Sequence, residues 1–318
     1  MTDYVLVVAG LAALVLGAEW LVRGGSAIAT RLGVSPLLVG LTVVSIGTSL
    51  PELAVGIDAA INDAGPLAVG NIAGTNIVNL LLILGLSAAM APLALRRRTV
   101  RIDLPIMIVS ALLLWALAAN GTLSRLDGAL LLLIAIAYTA AVIRVDLVAN
   151  RRQPLDDGTV EIRAPAGGVP WWHVVQLIAG LAIVVVGADW LVNGAVEVAS
   201  DLGVSEAVIG LTIVAIGTSA PELVTTVVST IRGERDLAIG NLIGSSVYNI
   251  AFILGATSLV HPIEVTDELI RIDLPLMAGV ALLCIPVFVT GRRITRAEGI
   301  AFVLAYIAYL VLLLVFRT

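Results

Sequence analysis

The chain has 318 residues, of which 59% are hydrophobic and only 13% charged, and its mean hydropathy is +1.08. A soluble domain is nearer half apolar and a quarter charged, so the composition excludes one. Apolar runs of about 20 residues point to spanning helices and not to the shorter alternating strands of a barrel. The single cysteine, Cys284, excludes an internal disulfide or a thiolate cluster, and the only histidines, His173 and His261, fall near span ends, which argues against transition-metal chemistry.

In chain order, spans are predicted over residues 4–22, 36–61, 66–90, 102–119 and 124–143. The first run opens near Tyr4 without a basic stretch before it and reads as a retained span, not a cleaved signal. Residues 144–170 mix Pro, Gly and charge, including Asp156 and Asp157, and read as a linker. A second set of spans follows over 171–192, 204–231, 236–260, 270–290 and 296–316. The expected fold is an all-α membrane protein of ten transmembrane helices, with five-helix units at 1–143 and 171–318. All 18 basic residues are arginine, and fifteen lie in the loops after spans 1, 3, 5, 7 and 9. The positive-inside rule places that side and the linker in the cytoplasm and both termini outside, as in a multi-pass protein of a prokaryotic inner membrane.

The chain repeats itself. GAEWLV at 17–22 returns as GADWLV at 187–192, and GLTVVSIGTSLPEL at 40–53 returns as GLTIVAIGTSAPEL at 210–223. GNIAGTNIVNLLLILG at 70–85 returns as GNLIGSSVYNIAFILG at 240–255, and RIDLPIM at 101–107 as RIDLPLM at 271–277. Every pair is offset by 170 residues. Five spans per copy is an odd number, so the second copy is expected upside down. Inverted repeats are the architecture of secondary transporters, which bind substrate at the midplane. A duplicated scaffold without transport would not concentrate its similarity on polar residues inside spans, where they are expensive.

Those polar residues share depth and faces. Glu52 and Thr75 each lie about 13 Å from the end of their spans, near the middle of a hydrocarbon core about 30 Å thick, and Glu222 and Ser245 repeat this from the other side. Thr48, Ser49 and Glu52 share one side of span 2, and Asn71, Thr75 and Asn79 form a stripe on span 3. Thr218, Ser219 and Glu222, then Asn241, Ser245 and Asn249, match them. Asn76 and Ser246 lie off the stripe, at the border of the site. Pro51 and Pro221 lack an N–H and clash with the carbonyls of Gly47 and Gly217, freeing backbone oxygens that a cation can satisfy. An all-oxygen inventory suits a hard cation such as Ca²⁺, or Na⁺. No arginine lies deeper than the first two residues of a span to meet an anion.

Other intramembrane features have plainer readings. GxxxG-type glycines at Gly70, Gly74, Gly240 and Gly244 point to close helix packing. Glu19 and Asp189, beside Trp20 and Trp190, fit an interfacial belt with local pairing such as Glu19 to Arg23. Asp103 and Asp273 open spans 4 and 9, where helix capping explains them.

GTSLPEL with GNIAGTNIVN, and GTSAPEL with GNLIGSSVYN, resemble the α-repeats of the sodium/calcium exchanger family within the calcium/cation antiporters. The resemblance covers nearly the whole chain. It implies ten helices, Na⁺-driven Ca²⁺ transport, a central ion cluster and no cofactor. By motif, Glu52 and Glu222 would be shared Ca²⁺/Na⁺ carboxylates. Thr48, Ser49, Thr75, Thr218, Ser219 and Ser245 would add oxygens, the backbone carbonyls of Ser45 and Ala215 would join them, and Asn79 and Asn249 would complete the set. Some prokaryotic members carry Asp where this chain has Asn249, which bears on stoichiometry and ion choice. The large cytoplasmic regulatory region of animal exchangers has no counterpart here, so no Ca²⁺-sensing domain is expected.

The mechanism expected is alternating access. An empty site of charge about −2 is costly in a low dielectric, so crossing is cheap only when cations neutralise it, which makes exchange obligate. By the resemblance, spans 1 and 6 slide against the rest. The chief rival is a Ca²⁺/H⁺ antiporter on the same scaffold; a cation channel and a membrane-embedded hydrolase are weaker ones. The partners expected are the bilayer and the two ions, with no nucleic acid and no obligate protein.

Overall fold

The computed structural model describes residues 2–150, 153–154, 160–161, 168–203 and 215–317. In a bilayer every backbone polar group must find its partner within the chain, so the long apolar runs fold as helices. They are α1 (Thr2–Leu32), α2 (Pro36–Thr48 and Leu50–Ile61), α3 (Gly65–Met90), α4 (Thr99–Ala118) and α5 (Arg125–Asn150). Then follow α6 (Trp171–Asp201), α7 (Ala215–Thr218 and Ala220–Ile231), α8 (Arg235–Val260), α9 (Leu269–Val289) and α10 (Arg296–Arg317). Among the described residues, eight are long and apolar enough to cross a membrane, and α2 makes a ninth when its arms are joined. The count of ten is not reached, because the first part of predicted span 7, 204–214, lies outside the described residues.

Several boundaries differ from expectation. α1 and α6 run past the predicted ends at 22 and 192, stopping only before Gly33 and Gly203, whose φ of +67° and +77° suits a left-handed helix cap. α5 continues to Asn150, into the stretch expected as linker from 144. Asp146 accounts for this: it is 3% exposed and accepts from the Ser35 N–H at 2.9 Å, from Ser35 Oγ and from Arg98 Nη1 at 3.1 Å. Asp103 is not a helix cap. It closes a π-helical turn at Thr99–Asp103, is fully buried, and accepts from Tyr138 Oη at 3.2 Å.

The centre is made by α3 and α8, whose apolar windows are 78% and 94% buried against 17–44% for the other continuous helices. The arms of α2 and α7 pack on them. α1 and α6 lie antiparallel along nearly their whole length. Gly10 faces Leu191 and Gly187, Gly17 faces Val184 and Gly180, and Gly24 faces Leu177 and His173. A Cβ at any of the three would fall 2.6–2.7 Å from the facing backbone.

Short ribbons tie the halves together. β1 (Leu93–Ala94) pairs with β6 (Arg293–Ile294), and β2 (Thr122–Leu123) pairs with β5 (Ile263–Glu264), all antiparallel. A third pair, β3 (Gln153–Pro154) with β4 (Val160–Glu161), lies in the linker. Contacts sort the loops into two ends. At one, Arg96 pairs with Asp236, Ser26 Oγ donates to Glu234 at 2.8 Å, and Leu95 N–H donates to Arg292 O at 2.8 Å. At the other, Val265 N–H donates to Gly121 O at 2.9 Å and Trp115 Nε1 to Ile270 O at 2.9 Å. The first end carries the arginine-rich loops.

Candidate cation site

The site forms where two helices break. α2 is bent by 42° at Ser49, whose φ and ψ are −89° and 8°, and Ser219 has nearly the same angles, −87° and 6°. Pro51 and Pro221 each fall in the first turn of the arm that follows, where a missing N–H costs least. The breaks turn Glu52 and Glu222 inward; both are 0% exposed. Ser49 Oγ donates to Glu222 Oε1 at 3.2 Å, and Thr48 Oγ1 donates to Asn241 Oδ1 at 3.2 Å.

α3 and α8 supply the remaining walls. Each widens by a π-helical turn, Val78–Ile83 and Asn249–Leu254. The turn holding Asn79 packs on the arm of α7 that holds Glu222, and the turn holding Asn249 packs on the arm of α2 that holds Glu52. Thr75, Asn79, Ser219, Ser245 and Asn249 are all at most 2% exposed. Among the described residues, both oxygens of Glu52, Glu222 Oε2, the hydroxyls of Thr75, Ser219 and Ser245, and both side-chain ends of Asn79 and Asn249 have no hydrogen-bond partner. A buried polar atom left unpaired costs about 1–3 kcal/mol, and the oxygens among these are acceptors of the kind a cation can satisfy.

The other expected residues fall as follows. The carbonyl of Ser45 accepts from the Ser49 N–H at 3.2 Å and from Thr48 Oγ1 at 3.4 Å, while its hydroxyl lies 2.5 Å from Gly40 O and 3.0 Å from Asn241 O. Ala215 is the first described residue of the first arm of α7, and Thr218 is half-buried at the end of that arm. Asn76 and Ser246 turn back to their own helices, donating to Ile72 O and Leu242 O at 2.9 Å. Gly240 and Gly244 pack as expected: a Cβ at Gly244 would lie 2.2 Å from Ser45 Oγ and 2.8 Å from Leu41 O. Among the described residues Gly70 and Gly74 meet no such approach. Asn241 takes a larger part than its place in the stripe suggested, and Thr225, Thr226 and Ser229 are fully buried beside Glu222. Their i+3, i+4 and i+7 spacing from Glu222 was the available signal.

The chemistry is that of a hard-cation site of two carboxylates and neutral oxygens. Among the described residues no cluster of three or more His, Cys, Asp or Glu is present to hold a metal in the ordinary way. Residues 2–144 and 172–315 match the family described as sodium/calcium exchanger protein. The chain belongs to the sodium/calcium exchanger family. It is therefore a transporter and not an enzyme. It is 36% identical over 316 residues to the putative antiporter CaxA of Alkalimonas amylolytica, covering 97% of this chain and 98% of that one. It is 34% identical to the sodium/calcium exchanger MaX1 of Methanosarcina acetivorans, with 98% of each chain covered. Inner membrane protein YrbG of Escherichia coli is 38% identical over 88% of this chain and 87% of its own. The solved sodium-calcium exchanger NCX_Mj, soaked with Na⁺ and Sr²⁺, superposes with a TM-score of 0.83 at 31% identity, covering 96% of this chain and 97% of that one.

Proposed function

We propose that this family member exchanges Na⁺ for Ca²⁺ by alternating access, with Glu52 and Glu222 as the shared carboxylates. The observation that carries the reading is the pair of fully buried acids, one from each half, surrounded by oxygens without protein partners. Thr48, Ser49, Thr75, Thr218, Ser219 and Ser245, the carbonyls of Ser45 and Ala215, and the amides of Asn79 and Asn249 complete the ligand set. Two close carboxylates in a low-dielectric interior are tolerable only when positive charge offsets them. One Ca²⁺ or several Na⁺ do so, and the empty site does not cross. Names of relatives favour these ions: MaX1 is a sodium/calcium exchanger.

The scaffold is read as ten spans in two inverted repeats, with the linker and the arginine-rich end in the cytoplasm and both termini outside. The repeat offset of 170 residues and the crossed ribbons support this. A parallel duplication would bring β1 beside β5, its repeat counterpart; instead each lies at the opposite end from the other.

Exchange of Ca²⁺ for H⁺ is the second reading. It is favoured by the neutral Asn249, which leaves two carboxylates as the only charged ligands, and by the likeness to CaxA, an antiporter whose name fixes no counter-ion. Purified protein in liposomes separates the two. Ca²⁺ uptake driven by a Na⁺ gradient at fixed pH, and absent with a pH gradient alone, is the expected result. The reverse pattern overturns the Na⁺ assignment.

A further inference from the structure

The second arm of α7 ends in ELVTTVVSTI. Counting from Glu222, its hydroxyls fall at Thr225, Thr226, Ser229 and Thr230, the i+3, i+4, i+7 and i+8 positions of one helical face. All four are at most 4% exposed. The stripe begins at the cation site and ends at Ile231, where the chain turns through Arg232 and Glu234 into the arginine-rich end. In the first half, 170 residues earlier, the same face reads Val55, Gly56, Ala59 and Ala60. One repeat carries four buried hydroxyls here and the other none, so the shared fold does not require them.

Their hydrogen bonding fits a path for cations. Ser229 Oγ donates to Thr225 O at 2.7 Å and Thr230 Oγ1 to Thr226 O at 2.8 Å. A hydroxyl that spends its proton on its own helix keeps acceptor lone pairs to offer. Among the described residues Thr225 Oγ1 has no partner. Thr226 Oγ1 accepts from Asn241 Nδ2 at 3.1 Å, and Asn241 Oδ1 in turn accepts from Thr48, which bridges α7, α8 and α2. In the first half Gly56 stands where Thr226 would be, and the Nδ2 of Asn71, the counterpart of Asn241, has no partner.

We propose that this hydroxyl stripe lines the route by which cations pass between the site and the arginine-rich end, and that the Thr48–Asn241–Thr226 bridge closes it in the conformation described. The inference rests on the transport reading above. Neutral oxygen acceptors replace part of a cation's hydration without holding it as tightly as a carboxylate, which is what a transit path needs. The opposite route must use other surfaces, because its matching face is apolar.

The test uses the full chain in liposomes, beginning with Na⁺-driven Ca²⁺ uptake by the unaltered protein. If that fails, the transport reading fails, and not this inference alone. Ser229→Cys and Thr225→Cys are then exposed during turnover to a membrane-impermeant cationic thiol reagent, applied from one face at a time. The expected result is loss of uptake on treatment from the arginine-rich face only. Ala59→Cys, on the matching apolar face, stays unreactive, and so does the unaltered chain, whose Cys284 is buried. Independently, Thr225→Val combined with Ser229→Ala, both outside the bridge, should slow turnover by about tenfold, as expected for loss of one or two hydrogen bonds to a passing ion. Equilibrium ⁴⁵Ca²⁺ binding to the solubilised double variant should stay near that of the unaltered chain. Cysteine variants that exchange normally yet resist the reagent from the arginine-rich face overturn the proposal, as does unchanged turnover of the double variant.

Discussion

Ser49 Oγ and Glu222 Oε1 meet at 3.2 Å across 173 positions of sequence, joining the break in α2 to the acid of α7. The contact places a donor from one half on the charge of the other. It means that neither half builds a complete site alone, and it frames what substitutions there should do.

Glu52→Gln and Glu222→Gln keep the shape of each side chain and remove its charge. Each should abolish Na⁺-gradient-driven Ca²⁺ uptake in proteoliposomes, because a site of charge about −1 no longer balances a divalent ion. Wild-type uptake by either variant would refute the ligand assignment.

Ser49→Ala removes one oxygen and one donor but no charge. Half-saturating Ca²⁺ should rise about tenfold, the equivalent of about 1.4 kcal/mol, without loss of maximal exchange. Uptake titrated against external Ca²⁺ measures this, and an unaltered curve places Ser49 outside the site.

Asn249→Asp adds an acid to a site whose balance is set by two. The unionised Asp resembles Asn in shape and charge, so exchange should match that of the parent chain at low pH. It should fall as pH rises and the new carboxyl ionises, a limb the parent chain lacks. Uptake measured across pH in both proteins is the check, and parallel profiles would count against a fixed charge balance.

Gly244→Ala would set a methyl 2.2 Å from Ser45 Oγ and 2.8 Å from Leu41 O, forcing α8 away from α2 at the site wall. Overpacking of this kind costs about 1–3 kcal/mol, and Ca²⁺ binding should weaken together with thermal stability. Gly279→Ala, in α9 with nothing within 4 Å, should leave the unfolding temperature unchanged or slightly higher.

Asp146→Ala would strip the Ser35 N–H of its acceptor and leave Arg98, whose side chain is 11% exposed, short of a counter-charge. Breaking a buried pair typically costs about 3–5 kcal/mol. Thermal unfolding in detergent should show a marked drop, whereas Asp267→Ala, which breaks the exposed Arg271–Asp267 pair, should show none.

Much of this was legible in the residues. Hydropathy gave the helices, because apolar length is the one property a bilayer demands, and Pro51 and Pro221 marked the two breaks. Spacing put Thr48, Ser49 and Glu52 on one side of span 2, and all three are buried. The π-helical turns at Val78–Ile83 and Asn249–Leu254 were not legible, since one extra residue per turn leaves no mark on composition. Asp103 misled for a local reason. It stands where a cap would stand, but its partner Tyr138 is a long-range one and only the packed fold reveals it. α1 and α6 outrun the apolar stretches that end at 22 and 192, because a helix goes on until a residue such as Gly33 or Gly203 stops it.

The crossed ribbons reach beyond architecture. Leu93 lies against Ile294 and Leu123 against Ile263, so each half reaches for the far end of its sibling in the same way. A lone five-helix chain able to enter the bilayer either way up would find these same handholds on an oppositely inserted twin. Fusion of the two genes would then need only a tether, leaving each copy at liberty to differ, as Val55, Gly56, Ala59 and Ala60 do from Thr225, Thr226, Ser229 and Thr230.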